Sequence, residues 1–553
     1  MDCIDKHYNN IFYLTKTIIP CKDYFYYLRI MNMIADEIKY PVGLQSFPEI
    51  RERGFLYVDK TQYIYNLIKQ KGYYFLSRPR RFGKSLLLST IEAYYQGRRD
   101  LFKGLALDSL TENWDPHPVL HLDLNSREYF DRAALEAELN AYLEQWEKIY
   151  ECPKPDRRPE ERFANVIRNA CEKTGKKVVV LIDEYDKPLL NAVNDDELGD
   201  SFRSLLKALY GNLKSMDKYI ELGFLTGVAR FSKVSIFSDL NNLRDISFEE
   251  QFAGICGITT DELDSYFQAG IARLAEKEGR TPQETREMLR LNYDGYHFAD
   301  VSPDVYNPFS LMNVFTKMRM GSYWFESGTP SYLVRLIERE QWLLCDLAPI
   351  EIEANILESA GLLSPDPIPS LYQTGYLTIK DFDRVFRTYT LDYPNREVRD
   401  GFISFLVPYY IKPSGQPGQF SIKRFVTALT SGDADSFMKL LESMLAGVPY
   451  SEKGSAEAHF QNAAYILFTL MGQFVTIEDR TSNGRIDLTV ETPQFLYIFE
   501  FKVDSSPEEA MKQIQEKKYW LKHIHSYKQI ILIGANFDTK TRRLSGYIRQ
   551  DVS

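Results

Sequence analysis

The stretch FLSRPRRFGKSLLLSTI (Phe75–Ile91) places an apolar run before a turn and a helix-forming run after it, with Gly83, Lys84 and Ser85 at the junction. A strand, a tight turn and a helix in that order direct successive backbone N–H groups and a helix N-terminus at one point, which suits a phosphate. Arg81 and Phe82 complete the turn. Lys84 can reach the outer phosphates of a nucleotide, and Ser85 can ligate Mg²⁺. The pattern G-x-x-x-x-G-K-[ST] is broken at position 78, where Arg78 stands in place of the first glycine. Taken alone, the triplet reads equally as a basic surface turn.

A second stretch, VVVLIDEYD (Val178–Asp186), ends an apolar run in two carboxylates. The carboxyl ends of parallel strands are where α/β proteins bind ligands, so Asp183 can enter a Mg²⁺ shell and Glu184 can orient an attacking water. Such a pair can also simply cap a following helix. Together with a phosphate loop about 100 residues earlier, it points to nucleotide binding. In GFLTGVARFSK (Gly223–Lys233), Thr226 can sense a γ-phosphate and Arg230 can stabilise transferring charge. Both residues read equally well as a strand end and a solvated helix charge.

Tyr73–Ser77, Val119–Leu124, Val178–Ile182, Leu222–Gly227 and Phe252–Ile258 are short apolar runs with room for crossover helices between them. They predict an α/β domain with a parallel sheet. Residues 260–450 lack such runs and read as mostly helical, for example over Asp261–Arg280 and Ser331–Leu344. Lys412–Gln419 is linker-like. The last hundred residues return to α/β, with helices over Ala456–Leu470 and Pro507–Ile524 and a strand over Gln529–Gly534. Residues 1–32 show no clean period and end near Met31 and Met33, so they are expected to be an upstream extension.

In this last region, GRIDLTVETPQFLYIFEFKV (Gly484–Val503) carries Asp487, Glu500 and Lys502. Glu500 and Lys502 are two apart on a strand and share a face, and a turn near Thr492–Pro493 can bring Asp487 beside them. Carboxylate oxygens suit Mg²⁺, and a neighbouring lysine can orient or deprotonate water at a phosphodiester. The alternative is an exposed cross-strand ion pair of little energetic weight. The flanking Phe499, Phe501 and Val503 favour a central strand, where unused charge is costly.

The 553 residues, 44% hydrophobic and 26% charged, describe a folded chain of several domains and exclude intrinsic disorder. Six scattered cysteines without a C-x-x-C pair support neither zinc nor a disulfide framework and fit a reducing cytoplasm. No apolar run predicts a membrane span. The net charge of −10 argues against a uniformly basic, nucleic-acid-coating protein. Yet Lys71–Lys103 holds eight basic and two acidic residues, and Phe501–Ser553 holds ten against six.

Seven blocks in order, YVDKT (Tyr57–Thr61), RPRRFGKSL (Arg78–Leu86), LIDEYDKPL (Leu181–Leu189), GVARFSKVSIFSDLNNLRDIS (Gly227–Ser247), YDGYHF (Tyr293–Phe298), YNPFSL (Tyr306–Leu311) and YWFESGTP (Tyr323–Pro330), resemble the prokaryotic AAA-ATPase-like proteins with a C-terminal PD-(D/E)XK nuclease-like domain. The resemblance implies an additional-strand, catalytic-glutamate P-loop core, with the phosphate-loop strand between those at Phe252 and Leu222, and the Arg-Pro-Arg-Arg loop is typical of that family. It adds Glu457 as an acidic metal ligand and Gln513 as a nuclease-motif residue.

The expected organisation is an extension (1–37), a P-loop domain (38–260), a helical middle or lid region (261–415) and a nuclease-like domain (416–553). The expected function is ATP binding and hydrolysis coupled to Mg²⁺-dependent cleavage of DNA or RNA, in a defence or mobile-element setting. The alternative is an ATP-binding module whose nuclease-like fold only grips nucleic acid or protein. Homo-oligomerisation stays open, because many related ATPases complete their site with a neighbour's arginine.

Overall fold

The computed structural model describes residues 38–552, apart from 153–157, 193–194, 231–239, 241, 328–336, 338–341, 360–365, 412–420, 447–455, 473–475, 483–484, 519 and 522–527. Residues 456–459 and 476–487 are described as backbone only. The expected extension (1–37), the linker and most of the helix expected over Ser331–Leu344 lie outside the described residues. The chain divides into two compact units, one running to Val228 and resuming over Ser235–Tyr323, the other formed by Ala229–Val234 and Trp324–Ser553.

The first unit is built on a parallel sheet of β1 (Gly72–Ser77), β2 (Val119–Asp123), β3 (Val178–Asp183), β4 (Ile220–Gly227) and β5 (Leu243–Asp245), in the order β2-β3-β4-β1-β5. Every residue of β3 is buried, which is why it reads as an unbroken apolar run rather than an alternating one. The helices Lys84–Tyr95, Arg132–Ile149, Pro159–Thr174 and Asp196–Ser215 join successive strands.

Two expectations change here. The phosphate-loop strand β1 does lie beside the strand at Leu222, but its other neighbour is β5, not a strand at Phe252. Phe252 closes a 3₁₀ turn (Glu250–Phe252), and its carbonyl accepts from Arg78 at 3.4 Å. A short apolar run has no period that separates a strand from a buried turn. The single helix expected over Asp261–Arg280 is two, Thr260–Tyr266 and Gln268–Glu278, parted at Phe267. The short strands β6 (Ile258–Thr259) and β7 (Val305–Tyr306) pair antiparallel.

Among its described residues the second unit holds two sheets. A small antiparallel one, β8 (Ile350–Glu353), β9 (Thr378–Asp383) and β10 (Thr388–Asp392), orders as β8-β10-β9. It falls in the stretch read as helical, because TIKDFD and TYTLD are too polar to register as buried strands. The larger sheet runs β11 (Thr476–Ser482), β12 (Arg485–Glu491), β13 (Phe495–Val503), β14 (Gln529–Asp538), β15 (Arg543–Val552), with β13 and β14 parallel and the other pairs antiparallel.

Alternation along β13 sorts its side chains. Phe495, Tyr497, Phe499 and Phe501 form a ladder with ring centroids 5.9–6.1 Å apart, against which Phe437, Phe460 and Phe468 pack. On the other face, Leu496 and Ile498 meet Met511 and Ile514 of the helix Pro507–Lys517. Glu500 and Lys502 continue that second face. No helix among the described residues is long and apolar enough to cross a membrane.

Candidate functional site

The chemistry-bearing residues gather in two places, one in each unit. In the first unit, β1 ends at Ser77 and the chain turns through Arg81, whose φ is 68°, and Gly83, whose φ is 91°, into the helix Lys84–Tyr95. No side chain caps this helix start, and a Cβ on Gly83 would meet nothing within 4 Å. The first N–H groups therefore keep their capacity for an anion, and the arrangement fits a phosphate. Ser85 stands partly buried in the helix's first turn.

Lys84 is 4% exposed, and its ammonium donates to the carbonyls of Arg78 (3.1 Å) and Pro79 (3.2 Å). Nζ also lies 3.5 Å from Glu184 Oε1. Glu184 follows β3 with φ at 50°, a left-handed conformation costly for a side-chain-bearing residue and frequent at functional sites. Asp183 Oδ1 accepts from the Thr226 hydroxyl at 2.6 Å and from the Glu184 N–H at 3.0 Å. Thr226 thus orients Asp183. Lys84, Asp183, Glu184 and Thr226 come together, with Arg81, Phe82 and Gly83 in the adjoining turn. Arg230 falls in the second unit, where its backbone N–H donates to Gln373 Oε1 at 3.0 Å, so it is not among the residues the first unit gathers.

Two neighbours escaped the sequence reading. Asp123 ends β2 directly opposite Asp183 in the register, and burial together with the negative charges of Asp183 and Glu184 raises its pKa. Two residues earlier, His121 Nδ1 bonds Glu92 Oε2 at 2.8 Å. Burial alone would lower the pKa of His121, but Glu92 and then Asp183 and Asp123 outweigh it, and the pKa is raised. The available signal was an aspartate ending the apolar run VLHLD.

In the second unit, Glu500 is fully buried and its Oε1 accepts from Lys502 Nζ at 2.8 Å. Lys502 also donates to Gln513 Oε1, from the helix Pro507–Lys517. On β12, Asp487 is the register partner of Glu500. Glu457 lies in the helix Ala456–Met471. The side chains of Asp487 and Glu457 are outside the described set, and among described side chains no group of three or more His, Cys, Asp or Glu is placed to hold a metal ion. The predicted donors are all carboxylate oxygens, which fits a hard divalent cation.

Gly534 is the missed residue here. It pairs with Glu500 in the β13–β14 register, and a Cβ on it would lie 2.6 Å from Met511 N and 2.9 Å from Pro507 O. Both contacts are helix backbone, so only glycine lets this helix approach closely enough to bring Gln513 to Lys502. A glycine inside an apolar strand is itself a sign of close backbone approach.

Residues 41–237 match the family model described as predicted AAA-ATPase, and residues 455–546 match the PD-(D/E)XK nuclease superfamily. The chain is also similar to a protein of Azotobacter chroococcum mcd 1 titled "Uncharacterized protein in vnfD 5'region". The two are 34% identical over 525 residues, which cover 92% of this chain and 98% of the relative. The chain belongs to the family of predicted AAA-ATPases that carry a C-terminal domain of the PD-(D/E)XK nuclease superfamily.

Proposed function

We propose that the protein binds and hydrolyses ATP in its first unit, and that this nucleotide state governs Mg²⁺-dependent cleavage of nucleic acid by its second. The observation that carries the reading is that each unit brings a lysine and a glutamate together toward a strand's carboxyl end, with one partner of the two buried: Lys84 with Glu184, and Lys502 with Glu500.

In the first unit, the N-terminus of the helix Lys84–Tyr95 and the Lys84 ammonium would bind the phosphates, and Ser85 and Asp183 would hold Mg²⁺. Thr226 keeps the Asp183 carboxylate oriented. Glu184 would orient the attacking water and accept its proton. In the second unit, Glu500 and Asp487 would hold the divalent ion, with Glu457 as a further ligand. Mg²⁺, when bound, supplies charge stabilisation at the phosphodiester oxygen. Lys502, steered by Glu500 and Gln513, would orient the nucleophilic water. A reducing cytoplasm suits the unpaired thiols of Cys152, Cys171 and Cys256.

The test is ATP hydrolysis and cleavage of labelled DNA and RNA by the full chain, comparing wild type with Lys84→Ala and Glu500→Gln. The reading expects Lys84→Ala to lose nucleotide binding, and Glu500→Gln to lose cleavage while still hydrolysing ATP. Binding of nucleic acid without metal-dependent products would instead favour a gripping module.

A further inference from the structure

The block YDGYHF (Tyr293–Phe298) has no part in the chemistry above, yet it sits on the phosphate loop. Phe82, the residue before Gly83, is buried with its ring edge-on to Tyr296 (centroids 4.7 Å apart) and to Phe298 (5.5 Å). Tyr296 and Phe298 stack on each other at 6.2 Å. The Arg78 guanidinium lies 4.2 Å from the Phe298 centroid, while its Nη1 donates to the carbonyls of Ser77 (2.9 Å) and Ser247 (2.8 Å). On the other shoulder of the loop, the Arg81 guanidinium lies 4.7 Å from the centroid of Phe309.

These contacts bear on the position where the loop departs from the glycine pattern. Arg78 is 1% exposed, so its side chain is anchored inside the fold rather than offered to a ligand. Its carbonyl accepts from Lys84 Nζ at 3.1 Å. A ring that fixes Arg78 therefore fixes one of the acceptors that place the Lys84 ammonium. Arg81, at φ 68°, holds a left-handed conformation that costs about 1 kcal/mol without compensation, and the face of Phe309 is a partner for its guanidinium.

Resting on the nucleotide reading, we infer that Phe298, Tyr296 and Phe309 are positioning residues for the phosphate loop. They hold by aromatic and cation–π packing the shape that a glycine-rich loop reaches by backbone freedom, and they thereby set the affinity for ATP. None of them touches the reacting atoms, so their removal acts on nucleotide binding and leaves turnover at saturation in place.

The experiment measures ATP binding, KM and kcat on the full chain for wild type, Phe298→Ala, Phe298→Tyr and Phe309→Leu, with thermal melting of each. Phe298→Ala is expected to raise Kd and KM about tenfold, with kcat within about twofold. Phe298→Tyr, which keeps the ring, is expected to return both constants to within about twofold of wild type, and Phe309→Leu to raise them about threefold. A purely structural role would move the melting temperature without the KM-against-kcat split. Should Phe298→Ala not fold, Phe309→Leu decides, since it keeps apolar bulk and removes only the ring face. Folded variants that bind ATP as wild type does overturn the inference. A wild-type chain that binds no ATP overturns the nucleotide reading itself and is distinguishable because no variant then differs.

Discussion

Lys84 Nζ lies 3.5 Å from Glu184 Oε1 although the two residues follow different strands, β1 and β3, with β4 between them in the sheet. The parallel sheet makes this possible, because it brings the carboxyl ends of β1, β3 and β4 to one edge, and with them the loop, the two carboxylates and Thr226.

From this pairing follows a division of labour that mutation can read. Glu184→Gln keeps the shape beside Lys84 and should still bind ATP, with hydrolysis reduced on the order of 10²–10⁴-fold. Single-turnover hydrolysis and equilibrium ATP binding measured on the same preparation check both halves of that expectation. Weakened binding with unchanged turnover would move Glu184 out of the chemistry.

In the second unit, Lys502→Met removes a charged partner of a fully buried carboxylate. Breaking a buried pair in this way costs about 3–5 kcal/mol. The variant should therefore melt earlier, whereas Glu500→Gln, which removes the charge and keeps the shape, should melt closer to wild type. Denaturant unfolding of the two variants side by side checks the order.

Gly534→Ala tests how Gln513 is delivered. The added Cβ would meet helix backbone at Met511 and Pro507, so the helix must shift, at a cost of about 1–3 kcal/mol typical of overpacking. Cleavage should fall while ATP hydrolysis stays at the wild-type rate. An unchanged cleavage rate would remove the close approach from the account.

Much of this architecture is legible before folding is considered. The runs that became β1, β3 and β4 are near-continuous and apolar because both faces of a parallel sheet are covered, and Glu500 and Lys502 declare a shared face by their spacing. Phe252 misled because a buried turn is as apolar as a strand. The β8–β10 sheet was missed because its strands are polar. Gly534 and Asp123 leave only a faint sign, a glycine inside an apolar strand and an aspartate ending an apolar run, because what they approach is distant in sequence, as is the loop on which Tyr296 and Phe298 pack.

Asp294, within YDGYHF, supplies a pH signature. Burial first, and Asp304 second, push its carboxyl up to about 6, against the opposing effects of Gly295 N–H, Tyr306 and Arg290. The folded state thus holds this proton more tightly than the unfolded chain, whose carboxyl titrates near 4. The contribution to stability is present below about pH 4 and is lost as pH rises through about 6, an upper bound of about 3 kcal/mol. Asp294→Asn should flatten that slope and be more stable than wild type at pH 7, as read by denaturant unfolding between pH 4 and 8.

The most direct measurement is cleavage of end-labelled DNA and RNA by the purified full chain, with Mg²⁺ or Mn²⁺ and with or without ATP, for wild type, Glu500→Gln and Lys84→Ala. The proposed coupling predicts metal-dependent products from wild type, none from Glu500→Gln despite intact ATP hydrolysis, and loss of the ATP effect in Lys84→Ala. Products from Glu500→Gln at the wild-type rate, or none from wild type under any of these conditions, would contradict it.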